Sequence, residues 1–586
     1  MTALFTSFLV LAAIQAPDPG KPSPEQFEVK VLRGEKARMR DGVSLTLDLY
    51  LPDATGRHPA VLVHTPYDRK GGPARRATSF ARRGYAVAVS DVRGRCDSEG
   101  EWDPFDARHK TDGHDLVEWL SVQPWCSGRV GMMGGSYLGW TQWWTATQAP
   151  RSLKAIVPEV APPDQFSNAP YQNGVLAGWA MDWAAMMSGR TTHPIGKGGY
   201  GGFTPTRAED LLTTPTLALN GRRGTPKTAW FETWIRENLS TAKYWQGISY
   251  QRPEHYSKIT VPTLNITGWF DANFPGAPMN YLGMKAHGPN PGARRPSLVI
   301  GPWSHGFNRD RKLLGIDYGP DAVIDWDGYV CRWLDHFLKG VENGVLEDPP
   351  VHVFVMGRNR WSAEKDWPLP EARPVPYYLR SGKALSRTAP GDEPPDEYIY
   401  DPAHPTPSAM TGDHIHGADD TRASAERSDV LVYTTPPLEA EVEVTGPVRA
   451  KLYASTSARD TDWMVRLVDV FPDGYAALLC DGVMRARCRD PRKGGAFTSE
   501  QLSTIEPDKV YEYTIDFWRA TSNLFRKGHR IRVEVSSSYF PYYLRNLNSG
   551  ADNVGLETKG VAARQKVFHA AAYPSHILLP IVPARD

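Results

Sequence analysis

A chain of 586 residues is several times the length of an ordinary domain, so about two or three compact units are expected, with ample material for a large core. Its 41% hydrophobic, 11% aromatic and 23% charged content is that of a folded globular protein and excludes an intrinsically disordered one. A formal net charge of +1 offers no electrostatic basis for binding nucleic acid or an anionic membrane, and neither is expected as a partner.

Residues 1–16 hold the apolar run Leu4 to Ile14, too short to cross a bilayer but right for the h-region of a signal peptide. They are read as a leader, which implies an exported, periplasmic or secreted protein. No Lys or Arg precedes the run, and cleavage after Ala16 would leave Pro17 first. The alternative is a buried or disordered N-terminal segment of a cytoplasmic protein. No later run has the length and apolarity of a transmembrane helix.

Short β-branched runs then alternate with helical patterns, which predicts crossover units and a largely parallel sheet. The expected buried strands are Ala60 to His64, Tyr85 to Ser90, Val130 to Met133, Leu153 to Val157, Pro262 to Thr267 and Pro296 to Ile300. Each ends in a loop where active-site groups of an open α/β sheet usually sit. Asp112-Gly113-His114-Asp115 reads as the acidic first turn of a helix running through Leu116, Val117, Trp119 and Leu120, rather than as metal ligands.

Between Pro162 and Pro253 the rhythm breaks into a stretch rich in Trp, Met and Gly, expected to form a partly helical cap that shapes the pocket. A helix through Trp326, Tyr329, Val330, Trp333, Leu334 and Phe337 closes the catalytic unit. From Val351 onward, short alternating runs separated by Pro, Gly and Asp turns predict an antiparallel β-sandwich. The expected organisation is a catalytic domain over 25–161 and 254–345, a cap over 162–253 and a sandwich over 351–586. The five cysteines show neither a C-x-x-C pair nor zinc spacing, so buried thiols are expected and no metal or other cofactor is implied.

The strongest local signal is Arg129-Val130-Gly131-Met132-Met133-Gly134-Gly135-Ser136-Tyr137-Leu138-Gly139, an apolar strand and a small-residue turn before the helical Trp140 to Gln148. This is the context of a nucleophile elbow, in which small neighbours let a strained Ser present its hydroxyl at a helix N-terminus. Leu138 stands where the second Gly of G-x-S-x-G would be, and Gly139 comes one later. Independent support comes from Gly268-Trp269-Phe270-Asp271 and Gly301-Pro302-Trp303-Ser304-His305, each following an expected strand. The order Ser, Asp, His is the one an α/β-hydrolase topology requires.

Taken together, Gly134-x-Ser136-Tyr137-x-Gly139, Gly268-Trp269-x-Asp271 and Gly301-Pro302-Trp303-x-His305 resemble the catalytic segments of the cocaine esterase/X-prolyl dipeptidyl-peptidase family of serine hydrolases. Thr65-Pro66-Tyr67 and Asp91-Val92-Arg93-Gly94 with Ser98-Glu99-Gly100 are similar to two further segments of that family. Asp460-Thr461-Asp462-Trp463 and Gly528-His529-Arg530 resemble its C-terminal jelly roll. The resemblance implies an α/β-hydrolase fold with an inserted helical cap and a C-terminal β jelly-roll sandwich.

It also implies site roles: Ser136 as nucleophile, His305 as general base and then acid, and Asp271 as the group fixing the imidazole tautomer. The Tyr137 backbone N–H and the Tyr67 phenol would form the oxyanion hole, and Trp179 with Tyr171 would wall the acyl pocket. Asp91, Arg93 and Glu99 are assigned to a hydrogen-bonded scaffold loop, and the remaining tryptophans near the motifs to the core.

The expected reaction is cleavage of a small-molecule ester or amide through an acyl-enzyme. Members that prefer an α-amino acyl group resemble one another in an acidic pair just after the triad Asp, where this chain has Ala272-Asn273-Phe274. That favours an apolar acyl pocket and a carboxylesterase, unless Asp182 or Glu209 in the cap substitutes for the missing carboxylates. The alternatives are an X-Pro dipeptidyl-peptidase, an acylase or acyltransferase on the same triad, and a binding protein acting through the sandwich with an inert hydrolase domain.

Overall fold

The computed structural model describes residues 16–166, 169–193, 205–238, 242–408, 418–489 and 504–584; the apolar run read as a leader lies outside them. Among the described residues no helix is long and apolar enough to cross a membrane.

The chain enters through an antiparallel pair, β1 (Val29–Arg38) and β2 (Ser44–Pro52). Four strands follow, β3 (His58–Thr65), β4 (Ala86–Asp91), β5 (Cys126–Gly135) and β6 (Leu153–Glu159), parallel to one another where they pair, with β4 antiparallel to β2. Between them run α1 (Pro73–Arg82), α2 (Arg108–Ser121) and α3 (Tyr137–Ala146). All six residues of β4 are buried, as a parallel strand covered on both faces requires, which is why it reads as a continuous apolar run rather than an alternating one.

The cap begins with three short strands, β7 (Gln165–Phe166), β8 (Ala169–Gln172) and β9 (Val175–Leu176). The helices α4 (Gly178–Met187), α5 (Pro205–Leu211), α6 (Ala229–Arg236), α7 (Lys243–Ile248) and α8 (Pro253–Tyr256) follow. The main sheet resumes with β10 (Leu264–Phe270), α9 (Gly276–His287) and β11 (Ser297–Ser304), again in parallel. After the small hairpin β12 (Lys312–Leu313) and β13 (Ile316–Asp317), α10 (Trp326–Leu334) starts at Asp325, whose side chain accepts from the Gly328 N–H.

Two expectations need correction. Val351 was expected to open the sandwich, yet β14 (Val351–Val355) pairs in parallel with β11, and β15 (Arg360–Glu364) pairs antiparallel with β14. The catalytic sheet therefore has ten strands in the order β1-β2-β4-β3-β5-β6-β10-β11-β14-β15. All five residues of β14 are buried, and a short apolar run of this kind fits a parallel strand as well as a sandwich strand. The second concerns α2, which starts at Arg108, so Asp112 is not in its first turn. Asp112 is buried and accepts two bonds from the Arg93 guanidinium, at 2.9 and 2.5 Å.

The remaining strands, β16 (Arg373–Arg380) through β29 (His576–Val582), form a mostly antiparallel β-rich domain. Its strands β22 (Asp462–Val470) and β23 (Ala476–Arg485) are buried at every position, polar residues included. All five cysteines are free, and four of them are buried.

Candidate active site

Ser136 sits between β5 and α3 with φ 61° and ψ −126°, a conformation that L side chains rarely adopt and that the tight turn imposes. The displaced glycine is explained by distance. A Cβ on Gly139 would lie 2.7 Å from Ala161 Cβ and 3.1 Å from the Glu159 carbonyl, so the close approach of helix to β6 falls there rather than at Leu138. The Ser136 N–H donates to that same Glu159 carbonyl at 2.8 Å, locking the turn to the next strand.

Asp271 follows β10 and is fully buried; His305 follows β11. Asp271 Oδ1 accepts from His305 Nδ1 at 2.8 Å and from the Asn273 N–H at 2.9 Å, and Oδ2 accepts from the Thr267 hydroxyl at 3.0 Å. An ionised carboxylate only accepts, so Nδ1 carries the proton and Nε2 of the neutral imidazole is left as an acceptor. That nitrogen lies 3.0 Å from Ser136 Oγ. The sheet thus brings Ser136, His305 and Asp271 into one hydrogen-bonded line, the arrangement in which a hydroxyl can lose its proton to an imidazole as it attacks.

The Tyr67 phenol, just beyond β3, accepts from Trp183 Nε1 at 3.1 Å and lines the same cavity as Ser136. Burial pushes its pKa up, only partly offset by the Trp183 hydrogen bond, so it remains a proton donor at neutral pH. The Tyr137 N–H belongs to the first residue of α3, where helix geometry leaves backbone donors unpaired by the helix itself. Its side chain turns elsewhere: the hydroxyl accepts from the Phe105 N–H at 3.0 Å.

A narrow cavity opens beside Ser136 and Tyr67, walled by Phe105, Trp179, Ala180, Trp183 and Trp234, with Pro162, Pro170 and Asn273 completing it. Trp179 lies where expected. Tyr171 does not line this cavity: its hydroxyl donates to the Trp234 carbonyl at 2.9 Å and its ring stacks on Phe166, behind the wall. Trp183 was read only as core, and Trp234 was not singled out. Trp183 had a usable signal, since it lies four residues after Trp179 on one helix and shares its face, whereas nothing local marks Trp234.

Among the described residues, none that lines the cavity carries a charge. Asp182 is buried in an ion pair with Arg222, and Glu209 is exposed, so neither supplies a carboxylate to the cavity. The scaffold loop is tied to backbone and to other loops. Asp91 accepts from the Arg69 N–H at 2.7 Å and its guanidinium at 2.6 Å, and Glu99 accepts from the Ser44 N–H at 2.8 Å. Asp68, Asp91 and Cys96 are the only group of potential metal-ligand atoms close together among the described residues. Asp91 is engaged by Arg69, and burial raises the Cys96 thiol to about 11, which disfavours a thiolate ligand.

The sequence model for X-Pro dipeptidyl-peptidase (S15 family) matches residues 41–307, and that for the X-Pro dipeptidyl-peptidase C-terminal non-catalytic domain matches residues 343–578. The chain is 37% identical to the cocaine esterase of Rhodococcus sp. (strain MB1 Bresler), over 93% of its own length and 97% of that protein's. Among solved structures it is similar to an aminopeptidase from a marine sediment archaeon, Thaumarchaeota archaeon, with a TM-score of 0.83 and 28% identity over 99% of both chains. It also shares the fold of an α-amino acid ester hydrolase, with a TM-score of 0.81 and 24% identity over 99% of this chain and 100% of the other.

Proposed function

The chain belongs to the cocaine esterase/X-Pro dipeptidyl-peptidase (S15) family of serine hydrolases, and from that premise we propose that it is a carboxylesterase selective for apolar acyl groups. The observation that carries the reading is the uncharged, largely aromatic cavity beside Ser136. A free ammonium on the acyl group would be desolvated there without a carboxylate partner, a cost that an apolar acyl chain avoids.

Ser136 Oγ attacks the ester carbonyl as its proton passes to His305 Nε2, and Asp271 stabilises the resulting imidazolium. Negative charge develops on the carbonyl oxygen, which the Tyr67 hydroxyl and the Tyr137 N–H stabilise. Collapse of the tetrahedral intermediate breaks the ester C–O bond, and His305 returns the proton to the leaving alcohol. Water then attacks the acyl-enzyme with His305 again as base, releasing the carboxylic acid and restoring the Ser136 hydroxyl.

Initial rates on phenyl butyrate, butyranilide and a Gly-Pro anilide with a free N-terminus test the reading. Turnover of the ester far above both anilides, lost in Ser136→Ala, is expected. Preferential release from the Gly-Pro anilide would instead make the protein a dipeptidyl-peptidase. Retained activity in Ser136→Ala would place the nucleophile elsewhere.

A further inference from the structure

Hydrogen-bond inventory around Tyr67 shows more than an isolated oxyanion donor. An indole N–H can only donate, so at 3.1 Å from Trp183 Nε1 the Tyr67 oxygen must be the acceptor. A phenol has one proton, and with its oxygen already accepting from the cap, that proton can point into the cavity that Tyr67 and Ser136 line together. Ser136 in turn donates to His305 Nε2, because Nδ1 holds its proton against Asp271. The phenol is thus held from the cap side and the serine hydroxyl from the histidine side, with the cavity between them.

We propose that Trp183 is a positioning residue for catalysis: its indole N–H holds the Tyr67 proton in the direction of the oxyanion and strengthens Tyr67 as a donor. The inference rests on the reading of Tyr67 as an oxyanion donor. A hydroxyl that accepts one bond is polarised as a donor for the next, so the phenol that meets the developing charge is a stronger donor than one bonded at random to water. When substrate is attacked, its oxygen becomes the acceptor of the Tyr67 proton and the Trp183 contact need not change. That is the condition for stabilising a transition state without reorganisation.

The indole is held in place for this task. Its ring lies nearly parallel to that of Trp234, at 4° with centroids 6.1 Å apart, and stacks on Phe105 at 5.6 Å. Trp234 Nε1 donates to the Tyr244 hydroxyl at 2.9 Å, and that hydroxyl lies 3.2 Å from both Asp103 Oδ1 and the Pro104 carbonyl. The cap and the catalytic domain thus fix the Trp183 plane from both sides.

The test is a kinetic cycle on phenyl butyrate with Trp183→Phe, Tyr67→Phe and the double variant, each checked for native circular dichroism. Trp183→Phe keeps an aromatic wall and loses the N–H, so kcat should fall roughly 3- to 10-fold with KM little changed. It should cause no further loss once Tyr67 is Phe. Trp183→His, which retains a ring N–H at a similar distance from Cβ, should recover part of the rate. Affinity for phenylboronic acid, which forms a tetrahedral adduct with the serine, should weaken in step with kcat. A change confined to KM, or losses that multiply in the double variant, would overturn the proposal and leave Trp183 as a pocket wall. Full kcat in Tyr67→Phe would remove the oxyanion reading itself, and the proposal with it.

Discussion

The backbone at Ser136, with φ 61° and ψ −126°, is held against its own preference by the close packing of α3 on β6 around Gly139. Such a conformation costs about 1–3 kcal/mol for a residue with a Cβ, while glycine adopts it freely but loses about 0.5–1 kcal/mol through unfolded-state entropy. The first effect is the larger. Ser136→Gly should therefore be inactive yet more stable by about 1 kcal/mol in urea unfolding. Equal or lower stability would mean the turn is unstrained. Of the residues named from sequence, Ser136, His305, Asp271, Tyr67 and Trp179 are gathered at one point, because each follows a strand end or lies on the cap helix above them. Tyr171 was misplaced, since a strand as short as β8 carries too little periodicity to say which way a residue faces.

Between β3 and α2 lie two buried histidines, His64 and His109, that make no contact with the reacting groups. Burial lowers their pKa to about 3 and about 4; each opposes the charge of the other, and Asp112, Arg93, Asp106 and Arg108 lie around them. In the unfolded chain both would bind protons near pH ~6.5, whereas in the fold they stay neutral. The unfolded state thus gains protons first on acidification, and stability falls as pH drops from about 6.5 towards 4. Asp103 acts oppositely. Burial and the neighbouring Asp106 raise its carboxyl to about 6, so its contribution is present at low pH and is lost as pH rises through about 6. Two histidines outweigh one carboxyl, and stability at pH 5 should be below that at pH 7 by about 1–2 kcal/mol in chemical denaturation. Replacing His109 by Phe should flatten the slope. Greater stability at pH 5 would contradict this account.

Across the whole molecule, the β-rich domain is built into the active site. Trp518 Nε1 donates at 2.9 Å to the Ala272 carbonyl, the residue after Asp271. The Gly178 N–H at the start of α4 donates to the Tyr542 carbonyl at 2.7 Å. The Met356 N–H donates to Ser522 and the Leu524 N–H to Met356, at 3.0 and 2.8 Å, joining the end of β14 to the same domain. The acid loop and the cap wall are therefore both steadied from outside the catalytic sheet. Trp518→Phe should lower kcat on phenyl butyrate by roughly 3- to 10-fold, as expected for losing one neutral hydrogen bond that orients a catalytic loop, with KM nearly unchanged. Wild-type kcat in that variant would mean the sheet alone positions Asp271.

Features governed by local pattern were legible in the chain itself. The continuous apolar runs specify buried parallel strands and the glycines around Ser136 specify an elbow, because each depends on neighbours a few residues away, and the order of Ser, Asp and His along the chain specifies a hydrolase topology. Other features depend on partners far along the chain. Alternation of the kind read in Met464 to Phe471 implies one solvated face, yet the polar residues of β22 and its neighbour β23 are interior: Arg466 pairs with Glu534 at 3.1 Å, Arg485 with Asp462 at 2.8 Å, and Asp469 with His529 at 2.9 Å. Period alone separates two faces of a strand but cannot say whether water or another layer covers the polar one. In the same way β14 joined the catalytic sheet, Asp112 met Arg93, and Trp183 met Tyr67 only when the fold closed. Pairing energy lies in the contact between segments, and no single segment records it.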